Sequence, residues 1–299
     1  MGNLSLSILI PTYDTVCVDL VRALCEQALS LDVAFEIIVA DDGSTSASCI
    51  AANRAIATIP HCRFIERGFN AGRAAIRNFL AQQASHAYLL YIDSDMTMVR
   101  PHFLKCYLDC LPAQVVDGGV TIVSGTANDN QLLRYLYETA EAPRHTAEMR
   151  QQRPYQHLHT ANLLVSREVM LQHPFDERLR HYGYEDVLLG KTLQRHRIPI
   201  RHIDNPMGFS CFESNESFVA KTEEGLRTLH QFRDELRGYS RLLTLIEGIH
   251  IPLILSFIRL SHRLFVGLIR RNLCSSHPSL RLFSLYKLGY FLSLTGDGK

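Results

Sequence analysis

The sequence predicts an α/β protein: a doubly wound, mixed sheet followed by a helical, basic-amphipathic extension. Three observations carry that expectation. Short continuous apolar runs alternate with helical stretches through the first half of the chain, which is the pattern of strands buried on both faces. Three of those runs end in acid. The charge balance changes sharply near residue 241.

The strands come first. "LSILI" (6–10), "FEIIVA" (35–40), "CRFIE" (62–66) and "AYLLYI" (87–92) are apolar or β-branched runs of strand length. "CVDLVRALCEQALSL" and "GRAAIRNFLAQQA" between them space their apolar residues as helices do. Strand, helix, strand at this pitch implies parallel strands joined by right-handed crossovers. Further on, "GGVTIVSG" (118–125) and "ANLLVS" (161–166) read as strands, with a charged helical stretch near 130–150. "FDERLRHYGYEDVLLGKTLQRH" (175–196) is a loop entering a helix at Glu185-Asp186, and "IPIRHIDNP" (198–206) is a strand leading to a Pro turn. Residues 216–237 read as one solvated helix. The expected division is a domain over 1–240 and a tail over 241–299.

With 299 residues, 46% apolar and 20% charged, the composition is that of an ordinary globular chain. A net charge of +1 gives no global electrostatic case for nucleic acid. Residues 241–299 nevertheless carry eight Lys/Arg and two acids, a local +6 that leaves the first 240 residues at about −5. The eight cysteines form no C-x-x-C pair, so they read as reduced thiols in a reducing compartment. "MGNLSLSILIPTYD" has no basic n-region and reads as entering a strand directly, without a signal peptide.

In open α/β sheets, ligands sit outside the carboxyl ends of the strands. The first strand ends in Pro11-Thr12-Tyr13-Asp14, the second in Asp41-Asp42-Gly43-Ser44 and the fourth in Asp93-Ser94-Asp95. A single acid there is a good helix cap. Three acids on one edge repel unless a cation or hydrogen-bond donors lie among them. An acid-x-acid triplet on extended backbone points both carboxylates to one side, which suits Mg²⁺ or Mn²⁺. In "NAGRAAIRN", Gly72 permits close backbone approach, and Arg73 opens a helix whose N-terminus favours anions. Arg77, one turn on, serves either the same anion or a structural ion pair. Glu185 and Asp186 are either chemical groups or acids favoured in a first helical turn.

Taken in order, "SILIPTYD", "VADDGS", "NAGRAAIRN", "YIDSDM" and "YGYED" resemble the family 2 glycosyltransferases of the GT-A (Rossmann-like) fold, over about residues 4–235. The resemblance implies an inverting transfer from a nucleoside-diphosphate sugar, a UDP-sugar first among them, with Mn²⁺ or Mg²⁺ as cofactor. It makes Asp95 the metal ligand, with Asp93 on the ribose or the metal and Ser94 between them. Asp42 becomes the acceptor of a base hydrogen bond, with Asp41 nearby, while Pro11, Thr12 and Tyr13 form the first nucleotide loop. Asp14 stands where relatives often have Asn or Glu. Glu185-Asp186 becomes the acceptor-side acid pair with Asp186 as base, near Gly183 and a sugar-stacking Tyr182 or Tyr184. "FDER" (175–178) and "HTAN" (159–162) fall where the family lines its pocket. The chain departs from the pattern at Phe209, where relatives often present a metal-binding His. His202 precedes the turn and is either a substitute ligand or a structural residue.

The tail, "RLLTLIEGIHIPLILSFIRLSHRLFVGLIRRNL…LRLFSLYKLGYFLSL", has no stretch free of Lys, Arg, Asp and Glu longer than the eleven residues 248–258, too short to span a bilayer. Apolar clusters punctuated by Arg259, Arg263, Arg270, Arg271, Arg281 and Lys287 suggest amphipathic helices on an anionic membrane surface. The alternative is a hairpin packed on the domain or forming a dimer. The whole reads as a cytoplasmic enzyme, peripheral at the inner face of the plasma membrane, acting on a saccharide or lipid-linked acceptor in surface polysaccharide or glycolipid synthesis. A nucleotidyltransferase is the rival enzyme, although "PTYDTVCVD" lacks the basic loop a triphosphate needs. A catalytically degenerate, membrane-anchored binding module is the rival non-enzyme.

Overall fold

The computed structural model describes residues 4–123 and 127–295. The ends of the expected strand 118–125 and of the tail, and the first three residues, lie outside that set. The first half follows the expected alternation: β1 (Ser5–Thr12), α1 (Val18–Leu29), β2 (Ala34–Asp41), α2 (Ala47–Asn53), β3 (Cys62–Glu66), α3 (Arg73–Gln83) and β4 (Tyr88–Ile92). Then come β5 (Met96–Met98), α4 (Phe103–Leu108), β6 (Val115–Asp117), β7 (Val120–Ile122), α5 (Leu132–Glu141), α6 (Ala147–Gln151), β8 (Asn162–Ser166), α7 (Arg167–Gln172), α8 (Glu185–Arg195), β9 (Ile200–His202) and β10 (Met207–Phe209). Four helices complete the chain: α9 (Asn215–Gln231), α10 (Arg241–Glu247), α11 (Pro252–Leu273) and α12 (Leu280–Leu294).

Seven strands form one sheet in the order β3-β2-β1-β4-β8-β6-β9. All neighbours run parallel except β8, which is antiparallel to both β4 and β6. The sheet is therefore mixed, as expected. Alternation along β1 sends Leu6, Ile8 and Ile10 to one face, where they meet Val21 and Leu24 of α1 and Phe103 and Tyr107 of α4. Leu9 faces the other side with Ile38, Ile76 and Leu80 of α3, and Leu189 and Leu193 of α8. With both faces covered, the parallel strands are apolar throughout, and polar residues collect at their ends. In a small second sheet, β5-β10-β7, β7 lies within the expected strand 118–125, whereas β5 and β10, three residues each, were not legible in the sequence.

The chain divides into two compact units. The first takes in the residues up to Val123, Pro143–Arg180 and Glu185–Ser210, and the second holds the remainder. The second unit has its own core of Leu133, Phe218, Val219, Ile269, Leu273, Phe283 and Tyr286. Its longest element, α11, runs for 22 residues with Pro252 in its first turn. By length and composition this helix is able to cross a membrane, which the eleven-residue count in the sequence did not anticipate. Arg259 and Arg263 interrupt the apolar run without ending the helix, because Arg is a good helix former.

Candidate active site

The carboxyl ends of β1, β2 and β4 are adjacent in the sheet, and the expected acids gather there. Thr12 is buried and its hydroxyl donates to the Thr15 carbonyl at 3.0 Å. Tyr13 stands out at 44% exposure, an aromatic surface at the sheet edge. Asp14 takes a left-handed φ of 48° and is fixed by the next loop: its carboxylate accepts from the Ser46 amide at 2.7 Å and the Thr45 hydroxyl at 2.8 Å. Those bonds, the Ser46 amide foremost, hold its pKa below the ordinary value. Asp14 thus ties the end of β1 to the entry of α2.

Asp41 accepts from the amide of Ser44 at 2.9 Å and also from its hydroxyl. Asp42 accepts from the amides of Ala71 at 3.1 Å and Gly72 at 2.9 Å, with Arg67 at 3.3 Å. The amides that open α3 are therefore already directed at a carboxylate of the chain itself. Burial nonetheless raises the Asp42 pKa, against the pull of those donors. Gly72 has φ +91°, and a Cβ there would lie 2.9 Å from the Arg180 carbonyl oxygen. Only glycine fits that approach.

The triplet after β4 is a turn, not the extended segment expected. The Met96 amide donates to the Asp93 carbonyl at 3.2 Å, so strand alternation does not align the two carboxylates. Asp93 meets Arg77 at 2.6 Å and Arg73 at 3.8 Å, while Asp95 lies exposed at the tip beside Ser94. Arg77 is 1% exposed and reaches Glu185 at 3.4 Å with its other nitrogen, and Arg73 approaches the same carboxylate at 3.6 Å. Arg77 thus makes an ion pair that joins the end of β4 to the start of α8. Pairing two acids and two guanidiniums lets charge persist in a buried setting.

Asp186 follows Glu185 in the first turn of α8 and accepts from the Val187 amide at 2.7 Å. Burial and the adjacent Glu185 charge push its pKa up to about 6, against the lowering influence of His159 and Arg77. That places a carboxylate near the value suited to proton transfer around neutral pH. In the second unit, Tyr182 is held to α9 through its amide on Glu224 at 3.0 Å and its carbonyl on the Thr228 hydroxyl at 3.1 Å. Gly183 has φ +98°, and Tyr184 also takes a left-handed φ, of 71°.

One cluster escaped the sequence reading. Asp117, fully buried at the end of β6, pairs with Arg150 at 3.0 Å and accepts from His159 through its amide at 2.9 Å and its ring at 3.3 Å. Burial works against its ionisation, yet the His159 charge, the histidine hydrogen bonds and Arg150 hold its carboxyl well below the usual range. Burial alone would lower the His159 pKa; the Asp117 charge overcomes it and raises it. The signal was present in "VVDGG", another apolar run closed by an acid. His202 belongs to this cluster. Its ring meets Arg150 at 2.8 Å and the Pro154 carbonyl at 3.0 Å, so both nitrogens are in use within the cluster. Phe209 lies on β10 opposite Met96, next in sequence to Asp95. Among the described residues, no group of three or more His, Cys, Asp or Glu is arranged to hold a metal. A cation here would rest on one or two carboxylates and on substrate oxygen, which is how Mg²⁺ is commonly held beside phosphates.

The sequence profile described as glycosyl transferase family 2 matches residues 7–171, more than half of the chain. The chain belongs to that family. Comparison with curated proteins gives no match. Among solved structures, S. aureus TarS 1–349 in complex with UDP is 16% identical, with 96% of this chain and 89% of that one covered and a TM-score of 0.51. Against the longer TarS chain the match spans half of that protein's length. The mannosyltransferase PcManGT from Pyrobaculum calidifontis, in complex with GDP-Man and Mn²⁺, is 11% identical over 98% and 86%, with a TM-score of 0.53. Mannosyl-3-phosphoglycerate synthase from Rubrobacter xylanophilus is 14% identical over 78% and 76%, also at 0.53. What these identities establish is the shared GT-A fold of this family 2 member.

Proposed function

We propose that this glycosyltransferase is inverting and metal-dependent, and moves a sugar from a nucleoside-diphosphate donor, a UDP-sugar first, to a saccharide or lipid-linked saccharide acceptor. The observation that carries the reading is the convergence on one sheet edge of Asp41, Asp42, Asp93 and Asp95, with Arg73 and Arg77 linking Asp93 to the helix that begins Glu185-Asp186. Pro11, Thr12 and Tyr13 form the wall for the base, with Tyr13 as the exposed ring. Asp42 and Asp41 shape the loop that meets the base and ribose. Gly72 lets backbone come close, and Arg73, half-exposed, faces the diphosphate.

Asp95 and Asp93 would hold Mn²⁺ or Mg²⁺. Such an ion, when bound, neutralises charge developing on the leaving diphosphate. Asp186 takes the proton of the acceptor hydroxyl as its oxygen attacks the anomeric carbon from the face opposite the departing diphosphate. Glu185, bonded to both arginines, fixes the start of α8 so that this carboxylate is held in place. Proteins of this fold have been captured with UDP-GlcNAc and with GDP-Man plus Mn²⁺, so both donor classes belong in the test.

The same reading assigns 1–240 to the transferase domain and 241–299 to a membrane-contacting tail. It places the enzyme at the cytoplasmic face of the membrane, in surface polysaccharide or glycolipid synthesis. Calorimetry of UDP, GDP and dTDP with and without Mn²⁺, alongside Asp95→Ala, tests the core of it. Mn²⁺-dependent binding of UDP that the variant loses is the expected result; no binding of any nucleotide overturns it. Phe209 and the committed His202 favour one second reading, a degenerate transferase that binds without turnover. Metal-dependent hydrolysis of a UDP-sugar by the parent protein would exclude it.

A further inference from the structure

The helix α11 has three distinct sides. His262, Ile269 and Leu273 are buried, with Ile269 and Leu273 sharing a core with Phe283 and Tyr286 of α12. Contact on this side is close: a Cβ on Gly289 would lie 2.6 Å from the Cβ of His262. A second side carries Leu253, Phe257, Leu260, Leu264 and Leu268, which at 3.6 residues per turn fall within an arc of about 80°. These five are 51–78% exposed when grouped with Phe265, and Ile254 widens the stripe. The third side carries Arg259, Arg263 and Arg270, the last already ion-paired with Glu223 of α9, and Arg271 closes the apolar stripe at its C-terminal end. Beside the stripe, Phe265, Leu268, Ile269, Leu282 and Leu285 line an apolar groove of about 360 Å³.

Seven large apolar side chains exposed on one helix exceed the scattered singles normal on a soluble surface. Charge decides what covers them. No acid occurs between Glu247 and Asp297, whereas five arginines and a lysine lie in that interval. In an antiparallel isologous dimer through this stripe, the arginines flanking one copy would meet the same arginines of the other, and Glu223, the acid on that flank, is already paired with Arg270. An anionic bilayer meets the same pattern with phosphate oxygens at the flank and acyl chains under the stripe. A transmembrane course is disfavoured, because it would bring Arg259 and Arg263, in the middle of the helix, into the hydrocarbon.

We propose that α11 is an in-plane membrane anchor for anionic phospholipid, its apolar stripe lying in the acyl boundary, Arg263 and Arg271 on headgroup phosphates, and the groove against α12 receiving an acyl chain. This deepens the membrane part of the reading above, and it does not depend on the transfer chemistry. The test is co-sedimentation of the full-length protein with vesicles of phosphatidylcholine alone or with added phosphatidylglycerol. Binding at least tenfold tighter to the anionic vesicles, weakened by salt, is expected. Phe257→Glu with Leu264→Glu should abolish binding, and Arg263→Glu with Arg271→Glu should remove the preference for phosphatidylglycerol. If circular dichroism shows that the glutamate variants do not fold, Phe257→Ala with Leu264→Ala should still weaken binding at least threefold. Asp95→Ala should bind vesicles as the parent does, so a failed anchor and a failed nucleotide site are told apart. Equal affinity for both vesicle types or no vesicle binding overturns the proposal. So does a dimer in analytical ultracentrifugation that the Leu264 variants dissolve, or resistance to alkaline-carbonate extraction from membranes, the sign of a spanning helix.

Discussion

The strand-end edge of the first unit and the α11–α12 hairpin of the second treat water in opposite ways. At the edge, charge is taken inside: Arg77 at 1% exposure and Glu185 at 6% are buried among side chains of opposite sign. On α11, oil is left outside, with Leu253 at 78% and Phe257 at 68% exposure. Neither arrangement maximises stability in water. Buried ions cost desolvation and fix geometry only while every partner is present. Exposed leucines forgo burial until something apolar arrives. The contrast teaches that the first unit fixes charge by enclosing it among partners, whereas the second leaves a helix face that only an apolar partner would cover.

The contrast can be broken most forcefully at Asp186. Asp186→Asn should lower the transfer rate by about 10²–10⁴, the usual share of a general base. Nucleotide binding measured by calorimetry should stay intact. The same carboxylate gives a pH signature. Its pKa is raised above the ordinary 3.8 to about 6, so the ionised base is lost as pH falls through 6, and the rate should fall about tenfold per pH unit below that. The sign for stability is the reverse: the fold bears a half-buried charge beside Glu185 above pH 6 and is relieved as the group protonates. Asp186→Asn should therefore raise the Tm at pH 8, and the gain should shrink as pH falls through 6 towards 4.

Arg77→Met comes next. It leaves Asp93 and Glu185 without their buried partner, and removing one member of a buried pair typically costs about 3–5 kcal/mol. Urea denaturation measures it. In the second unit, Gly289→Ala forces α12 away from His262 and should cost about 1–3 kcal/mol, the usual range for overpacking. The smallest effect sharpens the comparison best. Leu260→Ser, at an exposed stripe position, should change stability in water by no more than about 0.5 kcal/mol. A larger loss would mean that the stripe is core.

The four parallel strands and their acidic ends were legible because strands buried on both faces have nowhere to put polar residues except their ends. Asp14, Asp41, Asp42, Asp93 and Asp95 stand out in the sequence for that reason. The turn at Asp93–Met96 was not legible, since a run of alternating acids reads equally well as extended chain. Nor was the Asp117–Arg150–His159–His202 cluster, whose members lie up to 85 positions apart and meet where α6 comes against the paired strands β6, β8 and β9. Arg77 could be seen as a helix-face cation, but its two acids lie 16 and 108 positions away. Counting charge-free residues hid the length of α11, because an amphipathic helix places its charges on a side and not at its ends.

Arg77 has a consequence beyond holding the edge together. Its two nitrogens grip Asp93, beside the proposed cation position, and Glu185, next to the proposed base Asp186. A guanidinium is planar and stiff, so the two acids are clamped at a separation set by one side chain. Whatever changes the charge at Asp93 alters the field felt at the first turn of α8. One side chain thus couples the charge state at the end of β4 to that at the start of α8.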